Sequence, residues 1–206
     1  MIEVINRTRG GQYCNTYIVG NEGEDCFLVD FGYDHNGFLT EFALTHHSKI
    51  LGVLLTHGHY DHIYGFKEKL PSFPAFLALE DQDFLTDPYL NGSIELFDDP
   101  LRIEGLSPYP VEDEDEIKLG NHITKVIATP FHTGGSVCYY LEDEGILFSG
   151  DTLFQRGIGR YDLKGACPRF KEASLKKIFA LPDETIVYPG HGNKTTIGQE
   201  RRFYFL

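Results

Sequence analysis

The stretch Thr56-His57-Gly58-His59-Tyr60-Asp61-His62 places three imidazoles and one carboxylate within a few consecutive residues. It follows the apolar run Leu51-Gly52-Val53-Leu54-Leu55, which predicts a buried strand. Imidazole nitrogens and carboxylate oxygens are ligands that borderline divalent ions such as Zn²⁺ prefer, and the stretch has no thiolate of the kind that closed structural zinc sites use. It therefore predicts an open metal site in the loop after a strand.

The patterning on both sides of this loop predicts two halves, each built of strands followed by a helix. In the first half we expect antiparallel strands at residues 2–5, 13–19 and 26–30, a helix over 36–48 with Asn36 as its N-cap, a strand at 51–56 and a helix over 61–67. Further strands are expected at 74–79, 122–129, 136–141, 146–150 and 185–188, with a helical turn at 80–85 and a helix over 168–181. Four prolines between residues 86 and 110 predict an irregular segment.

Several other chemically suggestive residues have ordinary structural explanations. His46 and His47 fall at the end of the predicted helix, where the helix dipole favours an imidazolium, while His35 lies in a loop and His122 starts a strand. Five adjacent acids at residues 112–116 predict a solvated lead-in to a strand. The four cysteines are far apart and form no C-x-x-C, which predicts reduced and mostly buried thiols.

Length, charge and composition limit the class of protein. The chain has 206 residues, 41% of them hydrophobic, and we expect one globular domain spanning residues 1–206. A formal charge of −13 argues against nucleic acid as a partner, because binding a phosphate backbone requires a basic surface. No apolar run resembles a signal sequence or a membrane span, so we expect a cytoplasmic protein that acts on a small molecule without a membrane partner. The oligomeric state is not encoded in any pattern here.

Three further places put a possible ligand just beyond a predicted strand, next to Gly or Pro. They are His132 in T-P-F-H-T-G-G, Asp151 in F-S-G-D-T, and His191 in Y-P-G-H-G. With His57, His59, Asp61 and His62 they make seven candidate ligands, too many for one tetrahedral ion. Two ions that share one carboxylate account for the surplus.

The motifs T-H-x-H-x-D-H, a later lone His, G-D-T-L-F and G-H-G resemble the metallo-β-lactamase-fold hydrolases. Within that superfamily the chain is most similar to glyoxalase II and its single-domain relatives, over about residues 13–200. The resemblance implies an α+β fold, a four-layer αβ/βα sandwich with the site at one edge between its halves. It implies that one ion binds His57, His59 and His132, and that a second binds Asp61, His62 and His191. It also implies that Asp151 bridges the two ions and that Asp30 contacts a ligand without contacting a metal ion.

The chemistry that the resemblance implies is hydrolysis by a metal-bound hydroxide, with Asp61 and Asp151 as catalytic groups. Two divalent ions are expected, Zn first and Fe or Mn as alternatives, since Zn²⁺ brings the pKa of bound water to roughly 7. A thiolate leaves without a dedicated general acid, because thiols have a pKa of about 8.5. A thioester such as a hydroxyacylglutathione is therefore the expected substrate.

The surroundings of the ligands depart from the glyoxalase II pattern. The resemblance implies that Arg160, Tyr161 and Asn193 contact the substrate, and it leaves Arg160 either as an anion clamp or as the partner of Asp162. Asp162 and Asn193 stand where that family has glutathione-contacting tyrosines. Phe131 replaces the usual Gly before His132, which reshapes the expected pocket, and the C-terminal helical domain of glyoxalase II has no counterpart in the 206 residues.

Two other functions stay open at this point. A mononuclear iron enzyme similar to the persulfide dioxygenases would use His57, His132 and Asp151 as a two-His, one-carboxylate triad. The complete second set of ligands weighs against it. A non-catalytic module that binds a metal or a small ligand would have no need of an open dinuclear site, and β-lactamase action is less expected for a protein without an export signal.

Overall fold

The computed structural model describes residues 3–7, 13–34, 37–67 and 70–204, which form two mixed six-stranded sheets. The first sheet has the order β1-β2-β3-β4-β5-β6, and the second has the order β12-β11-β10-β9-β8-β7. The strands are β1 (Glu3–Arg7), β2 (Thr16–Gly20), β3 (Cys26–Val29), β4 (Ile50–Leu54), β5 (Ala75–Ala78), β6 (Tyr109–Val111), β7 (Glu116–Leu119), β8 (His122–Ala128), β9 (Val137–Leu141), β10 (Ile146–Gly150), β11 (Ile186–Pro189) and β12 (Thr195–Thr196).

Each sheet combines antiparallel and parallel pairs. In the first sheet β1, β2 and β3 are antiparallel neighbours, as the alternating pattern predicts, and β3 to β6 run parallel. In the second sheet β7 to β10 are antiparallel, β11 is parallel to β10, and β12 closes the edge. The α-helices are α1 (Phe38–His46), α2 (Tyr60–Ile63), α3 (Ser93–Phe97), α4 (Lys171–Ile178) and α5 (Ile197–Arg201), and a 3₁₀ helix spans Leu79–Leu85.

Alternating side chains divide the core into three layers of contacts. Along β2, Tyr17 and Val19 pack in the cluster between the two sheets, whereas Ile18 joins the cluster under α1 and α2. A third cluster joins the outer face of the second sheet to α4, through residues such as Leu147 and Leu175. Helices, sheet, sheet and helices therefore stack as four layers, and the expected α+β sandwich is confirmed.

Most predicted elements are present with boundaries shifted by a few residues. The first helix spans Phe38–His46 and follows Gly37, which adopts φ +72°. The expected N-cap Asn36 and the loop residue His35 lie outside the described residues, as does Ile2 of the first strand. The acidic run at 112–116 is mostly exposed, as expected.

The expectation of an irregular segment over residues 86–110 is wrong in part, since it contains α3 and the start of β6. The buried side chain of Asn91 organises the turn before α3: its Nδ2 donates to the carbonyls of Phe84 and Leu101, and its Oδ1 accepts from Ser93 N. Pro110 is tolerated in β6 because this strand lies at the edge of its sheet. Tertiary contacts therefore impose regular structure where the local pattern is weak.

The carboxyl ends of several strands meet at one edge of the sandwich. Asp30 follows β3, the metal loop follows β4, and Asp151 and His191 follow β10 and β11. Hydrogen bonds tie the two halves together there, among them Val137 N to Thr56 O at 2.9 Å. In the described part of the chain, every helix is too short or too polar to cross a membrane.

Candidate metal centre

The metal loop leaves β4 in extended conformation and then turns into α2. His57 and His59 lie on the extended part and are buried, while Asp61 and His62 lie on α2. Gly58 is required between the two histidines because a Cβ at this position would lie 2.5 Å from Cβ of Phe84. The loop thus directs two imidazoles one way and the helix directs two further ligands another.

His57, His59 and His132 form what we call the first group. Their ring centroids are 4.9, 4.7 and 4.6 Å apart, taken pairwise. His59 Nδ1 and His132 Nε2 are 2.9 Å apart, and His132 Nδ1 bonds the carbonyl of Arg160 at 2.5 Å. That second contact holds the tautomer of His132 in which Nε2 is bare.

Asp61, His62 and His191 form the second group. Asp61 Oδ2 is 3.0 Å from His191 Nε2 and 3.7 Å from His62 Nε2. The three ligand atoms of each group lie close enough to one another to hold a metal ion. The structure therefore brings the predicted ligands together in two separate groups.

Asp151 lies between the two groups. Its Oδ1 is 3.3 Å from His62 Nε2 and 3.6 Å from His191 Nε2, whereas its Oδ2 is 3.4 Å from His132 Nε2. One carboxylate oxygen thus faces each group, as the bridging role requires.

The unsatisfied atoms of the centre fit a bound cation. His57 Nε2, His59 Nε2, His62 Nε2 and Asp151 Oδ1 are buried without a hydrogen-bond partner. Buried polar atoms are normally paired, so a concentration of unpaired atoms on three imidazoles and one carboxylate fits a partner of positive charge. Neutral imidazole and carboxylate donors suit Zn²⁺, Fe²⁺ and Mn²⁺.

The protonation of the two groups differs. Burial, together with neighbouring histidines, lowers the pKa of His57 well below 6.5 and that of His59 to about 3, which keeps both imidazoles neutral and ready to ligate. Burial opposes the charge of His62 as well, but the surrounding carboxylates of Asp30, Asp61 and Asp151 raise its pKa well above 6.5. The surroundings of the second group therefore favour positive charge.

Asp30 supports one histidine of each group. Its Oδ2 accepts from His62 Nδ1 at 2.8 Å, and its carboxylate also accepts from Thr56 N at 2.8 Å and from the Thr56 hydroxyl at 3.0 Å. The same hydroxyl lies 3.1 Å from His57 Nδ1 and can accept its proton. Both contacts fix the Nδ1–H tautomer and leave Nε2 of His57 and His62 free for a ligand.

The predicted substrate-contacting residues lie around these groups on the surface. The Arg160 guanidinium makes a two-pronged ion pair with Asp162, at 2.8 and 2.9 Å, and both side chains are exposed. Tyr161 is 39% exposed, and Asn193 lies 3.5 Å from Gln155. Phe131 is fully buried in the cluster under α4, so its ring packs in the core rather than lining an opening.

Sequence reasoning missed two buried residues that hold the ligand loops. Asp81 accepts hydrogen bonds from Gly58 N, Thr133 Oγ1 and Gly135 N. Asn15 donates to the carbonyls of Pro189 and Gly192, on either side of His191, at 3.0 Å each. Neither stands next to a ligand in the sequence, and neither belongs to a recognisable motif.

Comparison with known proteins identifies the family. The family model described as Metallo-beta-lactamase superfamily matches residues 9–191. The chain belongs to the metallo-β-lactamase superfamily. An uncharacterized protein of Mycobacterium leprae is 37% identical over 203 residues, covering 92% of this chain and 91% of its own. A probable metallo-hydrolase of Bacillus subtilis is 33% identical over 198 residues, covering 91% and 89%.

A hydroxyacylglutathione hydrolase of Rhizobium etli is 36% identical over 177 residues, which are 86% of this chain and 62% of that protein. Among solved structures, BLEG-1, a B3 metallo-β-lactamase, has 36% identity and a TM-score of 0.88 over 98% of this chain and 97% of its own. A di-iron-bound form of TTHA1623 has 33% identity and a TM-score of 0.81, covering 97% and 98%. The resemblance to the metallo-β-lactamase superfamily and its glyoxalase II-like members is thus confirmed, and the protein is a metallo-hydrolase at the level of the superfamily.

Proposed function

We propose that the protein is a dinuclear metal-dependent hydrolase that cleaves a thioester such as a hydroxyacylglutathione. The observation that carries this proposal is the position of Asp151, which presents one oxygen to each three-residue group. In this proposal His57, His59 and His132 would hold one ion, Asp61, His62 and His191 would hold the other, and Asp151 would bridge them. The ions, when bound, lower the pKa of water and polarise the scissile carbonyl.

The chain's own residues orient the reactants. Asp61 and Asp151 keep 17% and 11% of their side chains exposed, so their carboxylates can accept hydrogen bonds from the attacking water. The imidazoles of the first group are almost fully buried, which keeps bulk water off the ligating nitrogens. The water oxygen bonds to the carbonyl carbon, the carbon–sulfur bond breaks, and the products are a carboxylate and a thiol, with one proton released to solvent.

A thioester suits this equipment because its leaving group has a pKa of about 8.5 and departs without a general acid. We also propose that Arg160, Tyr161 and Asn193 contact the substrate at the mouth of the site. The carbonyl of Arg160 bonds His132, which supports this location, and its guanidinium would have to exchange Asp162 for an anionic substrate group. The four free thiols support a cytoplasmic location.

Zinc is the proposed metal, with iron and manganese as the alternatives. One relative is a hydroxyacylglutathione hydrolase, which supports the proposed hydrolysis. One similar structure is di-iron-bound, which supports iron as an alternative metal. The alternative of a mononuclear iron enzyme similar to the persulfide dioxygenases would use His57, His132 and Asp151 and leave the second group without a role. A non-catalytic binder and a β-lactamase remain as outcomes of the same test, the latter because BLEG-1 is so similar in fold.

The test measures metal content and hydrolysis of S-lactoylglutathione on one sample purified without added metal. We expect about two ions per chain and turnover that His59→Ala abolishes. His46→Ala is the matched control, because its imidazole bonds the carbonyl of Phe42 at the far end of α1. About one iron per chain and no thioester turnover would support the dioxygenase-like alternative, turnover of a β-lactam alone would support a lactamase, and two ions without turnover of thioesters, lactones, phosphodiesters or β-lactams would support the binder.

A further inference from the structure

Asp81 is a fully buried carboxylate that links the two segments carrying the first group. It lies in the 3₁₀ helix Leu79–Leu85, which follows β5. Its Oδ2 accepts from Gly58 N at 2.9 Å and from Thr133 Oγ1 at 2.7 Å, and its Oδ1 accepts from Gly135 N at 2.8 Å. Gly58 stands between two of the histidines of the group, and Thr133 directly follows the third.

These contacts leave little room for rearrangement. A Cβ on Gly135 would lie 2.6 Å from Asp81 Oδ1, and a Cβ on Gly58 would lie 2.5 Å from Phe84 in the same 3₁₀ helix. The helix therefore abuts both backbone segments where they pass it. Because Gly58 belongs to the first half of the molecule and Gly135 to the second, one carboxylate sets the distance between them.

All three hydrogen-bond partners of Asp81 are neutral groups. A buried carboxylate with only neutral partners is costly, and a nearby cation reduces that cost. A divalent ion held by His57, His59 and His132 would supply such a charge beside these segments. Asp81 thus meets the requirements of a residue that both places the ligands and favours a cation between them.

We propose that Asp81 is the positioning residue of the first group, and that it selectively determines the affinity of the ion held by His57, His59 and His132. This inference rests on the metal binding put forward under the proposed function. A purely structural Asp81 would stabilise the fold without favouring one ion over the other.

Asp81→Asn is the decisive variant because it preserves shape while replacing one acceptor by a donor. The amide NH₂ would face Gly58 N–H in one orientation and Gly135 N–H in the other, so one of the two segments loses its anchor in either case. Asp81 acts on the ligands through the backbone and the hydroxyl beside them, and we take as the scale of its effect the loss of about 10–100-fold in metal affinity that follows removal of a direct partner of a metal ligand. We expect a decrease of that size for the first ion and less than about threefold for the second.

The affinities for the two ions are determined separately by introducing Asp81→Asn into two variants, each of which lacks one ligand of one group. His191→Ala impairs the second group, and in that background Asp81→Asn should weaken Zn²⁺ binding by about 10–100-fold in competition with a chromophoric chelator. His59→Ala impairs the first group, and there the same change should leave binding of the remaining ion unaltered. Visible absorption of Co²⁺ titrated into each protein reports the same affinities independently of activity.

Asp83→Asn is the matched control, since Asp83 lies on the same 3₁₀ helix, is exposed and undergoes the same change of charge. Thr133→Val removes the hydroxyl that donates to Asp81 and also contacts Ser136 Oγ, and it retains the Asp81 carboxylate, so it should show the same selectivity in smaller measure if Asp81→Asn fails to fold. The inference would be overturned if Asp81→Asn weakened metal binding equally in both backgrounds or in neither. It would also be overturned if Asp83→Asn had an equal effect on metal binding. Absence of metal binding by the unmutated chain would instead overturn the proposed function.

Discussion

Replacing Asp30 by Asn should weaken the binding of one ion more than that of the other, because it reverses a hydrogen bond to His62. The amide oxygen can still accept from Thr56 N and from the Thr56 hydroxyl, the contacts that Asp30 Oδ1 makes at 2.8 and 3.0 Å. The amide NH₂ then takes the place of Oδ2, which lies 2.8 Å from His62 Nδ1. Asn also tolerates the left-handed backbone that Asp30 adopts, with φ at 56°.

The consequence is a change of tautomer. In the native chain His62 Nδ1–H donates to Asp30 and Nε2 is free to ligate. In the variant the NH₂ donates to Nδ1, so the ring proton moves to Nε2 and blocks it. The Thr56 hydroxyl keeps its acceptor, so His57 retains its tautomer.

The expected magnitude is a 10–100-fold loss of affinity for the ion of the second group, which corresponds to about 1.4–2.7 kcal/mol. The metal-free protein should lose about 1 kcal/mol of unfolding free energy, since a hydrogen bond to a charged acceptor is replaced by a neutral one. For a chain of this size that is a decrease in Tm of about 2–4 °C.

The assay is a Zn²⁺ titration of the metal-free chain by calorimetry, with Asp34→Asn as control. Asp34 accepts hydrogen bonds from Leu39 N and from the Thr40 hydroxyl at the start of α1, away from the ligands. The control should lower Tm without changing either affinity. If Asp30→Asn bound two ions with native affinities, the tautomer argument would be refuted. If its affinities for both ions decreased equally, the amide would perturb the Thr56–His57 contact as well.

Three further outcomes follow from the geometry of the site. Asn15→Leu removes the two hydrogen bonds that hold the segment around His191, each worth about 1 kcal/mol, so calorimetry should show binding of one ion weakened by up to about 30-fold; unchanged binding would contradict this. On acidification, protons should displace the ion of the second group first, because the pKa of His62 and His191 is raised while that of His57 is lowered. Metal analysis after dialysis between pH 7.5 and 5 should therefore pass through a one-ion state, and simultaneous loss would argue against it. Finally, Cys167 is the one cysteine that is not buried, and burial raises the pKa of the other thiols to about 11 or 12, so a thiol reagent at pH 8 should label one thiol in the native chain and all four in denaturant.

The clustering of the candidate ligands could be predicted from the sequence because they come from segments that follow strands. Strands of one sandwich end at the same edge, so His57, Asp151 and His191 were expected to converge although they are far apart in the chain. Asp30 could be predicted for the same reason, since it follows β3. Periodicity locates strand ends well, and strand ends are where these side chains lie.

Asp81 and Asn15 could not be predicted because their partners are distant and mostly backbone atoms. Asp81 lies in the polar run Glu80-Asp81-Gln82-Asp83, which is typical of an exposed helical turn. Its burial depends on segments 23 to 54 residues away. Asn15 reaches carbonyls 174 and 177 residues further along the chain. No local pattern carries such information.

Each group of ligands draws on both halves of the sandwich, and this links metal binding to the packing of the sheets. His57 and His59 come from the first half and His132 from the second, while Asp61 and His62 face His191 in the same way. Asp81 and Asn15 cross the same boundary with hydrogen bonds. Ions bound to these groups would hold together the same two surfaces that Asp81 and Asn15 join, so the free energy of metal binding would add to that of folding. Because these residues hold the halves in register before a metal arrives, the ligands lose less conformational entropy on binding it.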